Sequence, residues 1–348
     1  MEGSKCGKGT MAIGELVGQR SYYSMKEFRD YDEKLPELVY DILDYFRLGN
    51  RSKPAIQKSV LDYCTNSRFN STLGAMVQPD VVHTICERLV KKGVLMCTKV
   101  GIGISGIDSN YLFPTSAEEV FLRKAPAIVF YFNCIVYGFP YIYSAYLDYV
   151  LPIIVKKDGK ESMGTGFRYK NGIVTAKHCL KVDQVFIPNI NVEKLANSRV
   201  YVSKDENLDL AYIDIGEPSP LVSNEAKVLD EVLVMGYPKI PMFFDFCAGE
   251  RATISAIPTK GAIASIAEQY ITRNIGPLIL VTARIRGGNS GGPIIDANGA
   301  VVGVAFAEPE AKGDYDDMGY GIAYPIAVFE KMLQDPITLS VNFVSQIS

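Results

Sequence analysis

A serine set among glycines, Gly287-Gly288-Asn289-Ser290-Gly291-Gly292-Pro293, is the stretch with the clearest chemistry in this chain. Glycines on both sides let the backbone bend sharply and let bare peptide groups approach a ligand. Acyl transfer needs such a place. A nucleophilic hydroxyl must stand clear while two N–H groups face the oxyanion that forms when it attacks a carbonyl, and here Gly288 and Ser290 would supply them. A serine hydroxyl needs a base, and histidine is the usual one near neutral pH. The chain has 2 histidines. His83 lies in a helical pattern far upstream, whereas His178 ends the buried-strand run Gly172-Ile173-Val174-Thr175-Ala176-Lys177-His178-Cys179. An imidazole that gains and loses a proton needs an acceptor to hold its tautomer. Asp209, opening the apolar strand Leu210-Ala211-Tyr212-Ile213, is the first choice, with Asp214 second and Asp205 third.

These residues must be positioned by β-structure. Short apolar runs separated by turn residues follow one another from Val150 to Tyr324: 150–155, 163–169, 173–175, 184–187, 199–202, 210–215, 231–235, 252–256, 278–281, 294–295, 300–306 and 321–324. That spacing predicts an all-β domain, with Asn171-Gly172 as a hairpin turn and a short helix over 328–333.

Thr175-Ala176-Lys177-His178-Cys179, Asp209-Leu210-Ala211 and Gly288-Asn289-Ser290-Gly291-Gly292-Pro293, in that order, resemble the His, Asp and Ser blocks of the chymotrypsin-like (trypsin-fold) serine peptidases. Asn289 before the serine, Ile285, and Gly319-Tyr320-Gly321-Ile322-Ala323-Tyr324-Pro325-Ile326 are most similar to the HtrA/Deg branch. The likeness covers Val150 to about Leu333. It implies two six-stranded barrels and a serine endopeptidase with catalytic His178, Asp209 and Ser290 in the cleft between them. An oxyanion hole from Gly288 and Ser290 follows, without cofactor or metal. Arg284 stands where trypsin carries its specificity acid, and Ala305-Phe306-Ala307 looks like the wall of the substrate pocket, suited to an apolar side chain. No PDZ-sized segment follows the protease region, which departs from most HtrA proteins.

At 348 residues and 48% hydrophobic, the chain is long enough for about two globular domains. The expected class is α+β: an extension (1–34), a winged helix-like domain (35–124), an apolar helical connector (125–149), the protease domain (150–335) and a tail (336–348). Pro36 opens a first helical pattern that ends near Gly49, a second runs over 54–64, and Asp80 caps a third that Gly93 closes. Two strands, 94–100 and 111–113, flank a Gly-rich loop, completing the winged arrangement. Arg88, Lys91 and Lys92 on or just past the third helix could meet phosphates, as could Arg47, Arg51, Lys53, Lys58 and Arg68 near the turns. Residues 1–124, however, hold 17 Lys and Arg against 15 Asp and Glu, and a protein partner is favoured over DNA. Ala127 to Val155 is very apolar but is broken by Asn133, Gly138, Pro140, Asp148 and Pro152, which argues for a packed, broken helix rather than a membrane span.

The net charge of −3 argues against a chain-wide polyanion-binding role. Seven cysteines without Cys-x-x-Cys pairs, no N-terminal apolar leader, and a Cys179 that faces no cysteine in 163–167 lead to the expectation of a cytoplasmic protein. The competing reading is a DNA- or protein-binding regulator that merely retains a protease fold.

Overall fold

The computed structural model describes residues 35–48, 58–101, 106–114, 126–239, 255–267, 277–306 and 320–347. The chain divides into two compact units, Met1–Gly138 and Phe139–Ser348. The boundary falls inside the apolar connector. Gly138, at φ +70, separates two helices, and a side chain there would be strained.

The first unit contains α1 (Leu38–Phe46), α2 (Val60–Asn66), the unanticipated turn of helix α3 (Asn70–Leu73), α4 (Pro79–Lys91) and α5 (Pro126–Tyr137). Between α4 and α5 lies an antiparallel ribbon of β1 (Met96–Lys99) and β2 (Asn110–Leu112). In α1 the apolar positions Leu38, Val39, Ile42, Leu43 and Phe46 recur at helical spacing and are all buried. Ser59 caps α2 by accepting from the Asp62 N–H. Asp80, expected to cap α4, sits within its first turn instead, after Pro79. Its charge there still faces the partial positive end of the helix. Helix α5 packs on α1 and α4, and Asn133 donates to the Pro36 carbonyl at 2.9 Å.

The second unit opens with α6 (Phe139–Tyr146), whose Tyr146 hydroxyl donates to the Gly299 carbonyl at 2.7 Å. The first sheet runs in the order β15-β7-β8-β5-β4-β3-β6. Its members are β3 (Val150–Lys157), β4 (Lys160–Tyr169), β5 (Gly172–Thr175), β6 (Gln184–Phe186), β7 (Arg199–Val202), β8 (Ala211–Asp214) and β15 (Ile337–Thr338). A second layer is a closed barrel of β9 (Glu231–Gly236), β10 (Ile257–Ala267), β11 (Leu278–Val281), β12 (Pro293–Asp296), β13 (Val301–Phe306) and β14 (Gly321–Pro325). Helix α7 (Val192–Ala196) packs Leu195 into the core of the first sheet, and α8 (Ile326–Met332) packs on β13 and β14.

Three local differences from the sequence reading have physical causes. The β4–β5 turn is Lys170-Asn171 rather than Asn171-Gly172, because Tyr169 pairs with Gly172 and Lys170 takes the positive φ of 53. The 11-residue β10 lies C-terminal to the expected strand at 252–256, of which only 255 and 256 lie among the described residues. The first layer is a seven-stranded sheet rather than a six-stranded barrel, since the stretch expected as a tail returns to it. Ile337 and Thr338 pair with Val202 and Tyr201, and the Val185 N–H donates to the Asn342 carbonyl at 2.9 Å.

Candidate active site

Strand β5 delivers the first functional group. Thr175 is fully buried, and after it the chain turns into the short 3₁₀ segment Lys177–Cys179, which lifts His178 off the sheet. Asp209 stands just before β8, the neighbour of β5, so sheet pairing brings it to the same corner. Its Oδ2 lies 2.5 Å from His178 Nδ1, and its Oδ1 accepts the His178 backbone N–H at 2.8 Å. The side chain of Asp209 is 15% exposed and that of His178 is 37% exposed. The alternative acids are engaged locally. Asp214 accepts from the Gly216 N–H at 3.2 Å and Asp205 from the Asn207 N–H at 2.9 Å. The geometry therefore separates three acids that the sequence reading only ranked.

Burial by itself would lower the pKa of His178, but the hydrogen bond to Asp209, together with the neighbouring Cys179, outweighs it and raises the imidazole to about 10. Lys177 moves the other way. It is buried, its pKa is lowered by that burial, and its Nζ donates to the Glu206 carbonyl at 2.9 Å, tying the segment before Asp209 to the histidine corner. The Tyr324 hydroxyl from β14 lies 3.4 Å from the Asp209 N–H that donates to it. Both lie in blocks that carry the family resemblance, yet neither is assigned a role there, where a lysine and a tyrosine look like ordinary strand-end residues.

Ser290 comes from the turn before β12. The Asn289 N–H donates to the Arg286 carbonyl at 2.9 Å, closing a turn with Gly288 at φ +98 in its third position. That is the signature of a type II turn and requires glycine. The Ser290 carbonyl accepts from the Thr165 N–H at 3.0 Å. A Cβ on Gly291 would lie 2.6 Å from the Ala176 nitrogen, so only glycine lets the serine's loop approach the histidine's strand this closely. Ser290 is 3% exposed.

Of the expected substrate residues, Ala305 contributes to the barrel core and spends its main chain on the nucleophile's loop. Its N–H donates to Gly292 and its carbonyl accepts from Gly291, both at 2.8 Å. It thus supports that loop through its main chain. Phe306 is buried with its ring 5.1 Å from that of Tyr324, and Arg284 is exposed. Ala307 lies outside the described residues.

Of the cations expected to meet nucleic acid, Arg51 and Lys53 lie outside the described residues, and four of the other six are engaged within the first unit. Arg88 donates to the Val136 carbonyl at 2.5 Å, and its pKa is lowered by burial. Lys58 is 1% exposed and donates to the Tyr45 carbonyl, Arg47 pairs with Asp44, and Arg68 pairs with Glu37 and Asp41. Lys91 and Lys92 are exposed. Arg88 therefore acts as an internal clasp between α4 and α5, a role its place on a helix face did not announce.

Residues 164–304 match the family model of the trypsin-like peptidase domain. This stretch, about two fifths of the chain, thus carries a trypsin-like peptidase domain. The magnetosome formation protease MamE of Paramagnetospirillum magneticum is 29% identical over 174 residues, 47% of this chain and 22% of that protein. A probable periplasmic serine endoprotease, DegP-like, of Rickettsia conorii is 33% identical over 170 residues, 47% of this chain and 31% of that one. Among solved structures, the active form of the Rv3671c protease of M. tuberculosis aligns at 24% identity with a TM-score of 0.42, covering 57% of this chain and 86% of that one. The chain spans roughly a fifth to a third of the length of these curated relatives.

Proposed function

We propose that this protein is an intracellular serine endopeptidase of the HtrA/Deg kind that cleaves peptide bonds through Ser290, His178 and Asp209. The observation that carries the reading is the double hydrogen bond from His178 to Asp209 beside a glycine-bounded serine. One carboxylate fixes both the ring tautomer and the backbone of the base. Ser290 Oγ attacks the scissile carbonyl, forming the C–O bond as its proton passes to His178 Nε2. The tetrahedral oxyanion is met by the N–H groups of Gly288 and Ser290. Collapse breaks the C–N bond as the imidazolium returns its proton to the leaving amine, and water then repeats the sequence to release the acyl group. Asp209 orients the ring and stabilises the positive charge that forms on it.

Substrates are proteins or peptides. The first unit is read as a winged helix that serves protein contact rather than DNA, because Arg88, Arg47, Lys58 and Arg68 are engaged within it. A reducing compartment fits Cys64, Cys86, Cys97 and Cys179, which are free thiols among the described residues. The test is hydrolysis of a proteome-derived peptide library beside labelling by a fluorophosphonate, each run with a Ser290→Ala control. Cleavage and labelling that survive in the Ser290→Ala protein would overturn the reading.

A further inference from the structure

Thr165 lies fully buried in β4, and its polar atoms bind the nucleophile's surroundings from four directions. Its hydroxyl donates to the Gly288 carbonyl at 2.6 Å and accepts the Tyr237 N–H at 3.0 Å. Its own N–H donates to the Ser290 carbonyl at 3.0 Å, and its carbonyl accepts the Thr175 hydroxyl at 2.8 Å. The space around it is equally committed. A Cβ on Gly236 would come within 2.9 Å of the Thr165 hydroxyl, and one on Gly292 within 3.2 Å of its methyl.

We infer that Thr165 is a positioning residue that holds the 286–289 turn in the conformation presenting the Gly288 N–H to the substrate carbonyl. The inference rests on the reading of Gly288 and Ser290 as oxyanion donors. In a trans peptide the C=O and N–H point in opposite directions. The Gly287 carbonyl accepts from the Lys239 N–H at 2.8 Å, which turns the Gly288 N–H to the other side. The next peptide is fixed by the Thr165 hydroxyl on the Gly288 carbonyl. Two consecutive glycines at the centre of a turn would otherwise let the central peptide rotate between type II and type I geometry, and the donor would leave the site. The same hydroxyl takes the N–H of Tyr237, two residues before Lys239. One side chain of the first sheet therefore locks both the turn and the segment that braces it, and both belong to the region of the second barrel.

Thr165→Val keeps the shape and the main-chain hydrogen bonds but removes the two made by the hydroxyl, whereas Thr165→Ser keeps the hydroxyl and removes the methyl. The full chain of each is assayed for kcat and KM on a cleaved peptide and for its rate of fluorophosphonate labelling at Ser290. Losing a preorganised oxyanion donor costs about 100-fold or more in kcat, so a donor left mobile is expected to cost about tenfold or more. Thr165→Val should show that loss in kcat and in labelling rate with KM little changed, and Thr165→Ser should stay close to wild type. Wild-type kcat in Thr165→Val, or equal losses in both variants, would overturn the inference. Should Thr165→Val fail to fold, Thr165→Cys replaces it, and full activity with that weak thiol donor would overturn the inference equally. A wild-type protein that is neither active nor labelled would instead remove the proposed function on which the inference rests.

Discussion

His178 gives both its ring Nδ1 and its backbone N–H to the two oxygens of Asp209, at 2.5 and 2.8 Å. A carboxylate used in this way fixes the position of the base as well as its tautomer. Replacing Asp209 by Asn should therefore leave the fold intact and lower kcat by about four orders of magnitude, since the amide favours the wrong tautomer. Ser290→Ala and His178→Ala should each remove nearly all turnover. Full activity in Asp209→Asn, alongside loss in Asp214→Asn, would reassign the acid.

The pH profile of that pair has opposite signs for rate and for stability. Catalysis needs neutral His178, so kcat/KM should rise with pH along an acid limb displaced above the ordinary imidazole value of about 6.5. The folded pKa is raised, to about 10. The pair's contribution to folding is accordingly complete below about 6.5 and is lost as pH rises through the folded value. Asp209→Asn should bring the residual activity's limb back toward 6.5. A wild-type limb already at 6.5 would show that Asp209 does not raise the base.

Maturation by proteolysis is not expected. Val150 begins a strand paired to β4, its carbonyl accepts the Tyr237 hydroxyl at 3.1 Å, and Asn289 offers no charge to a new terminus. Intact chain should react with a fluorophosphonate. Mass spectrometry that finds label only on a fragment beginning near residue 150 would contradict this.

Gly164 occupies the place opposite Cys179 where a cross-strand partner would stand. A Cβ built there lies 3.5 Å from the Cys179 Cβ, within the usual range for a disulfide. Gly164→Cys should therefore cross-link to Cys179 on oxidation, read as a thiol count two lower than in the reduced protein. Two free thiols persisting under an oxidant that cross-links exposed pairs would count against the geometry.

In the first unit, Arg88→Ala should destabilise by about 1–3 kcal/mol, because the Val136 carbonyl loses a charged donor. Lys91→Ala and Lys92→Ala, at exposed positions, should each change stability by less than about 0.5 kcal/mol. Duplex DNA binding that persists at moderate salt and weakens uniformly in both lysine variants would restore the nucleic-acid reading.

The sequence made some of this legible for identifiable reasons. His178, Asp209 and Ser290 stand in short blocks whose residue types the chemistry restricts, and β7 and β11 follow from apolar runs bounded by turn residues. Strand β10 was hidden because Thr259, Lys260, Gly261 and Ala262 are small or polar. Gly261 is there because a Cβ would lie 2.2 Å from the Ala283 nitrogen, a constraint that only the neighbouring strand reveals. Thr165 was invisible as a functional residue because a threonine in a strand is what β-propensity alone would place there. Arg88 and Lys58 misled in the opposite sense, since a cation's burial depends on what packs across from it.

The return of residues 337–344 to the first sheet bears on how the protein is made. Strand β7 gains its outer neighbour, and Val185 its main-chain partners, from residues more than a hundred positions later in the chain. The sheet that carries His178 and Asp209 can pair internally as soon as β8 leaves the ribosome, but its edges stay open until residue 344 has emerged. Contacts of such long range close slowly, and open strand edges invite pairing with other chains in the meantime. The histidine corner is thus built early, while completion of its sheet is deferred until the entire second barrel, with Ser290 in it, has been synthesised.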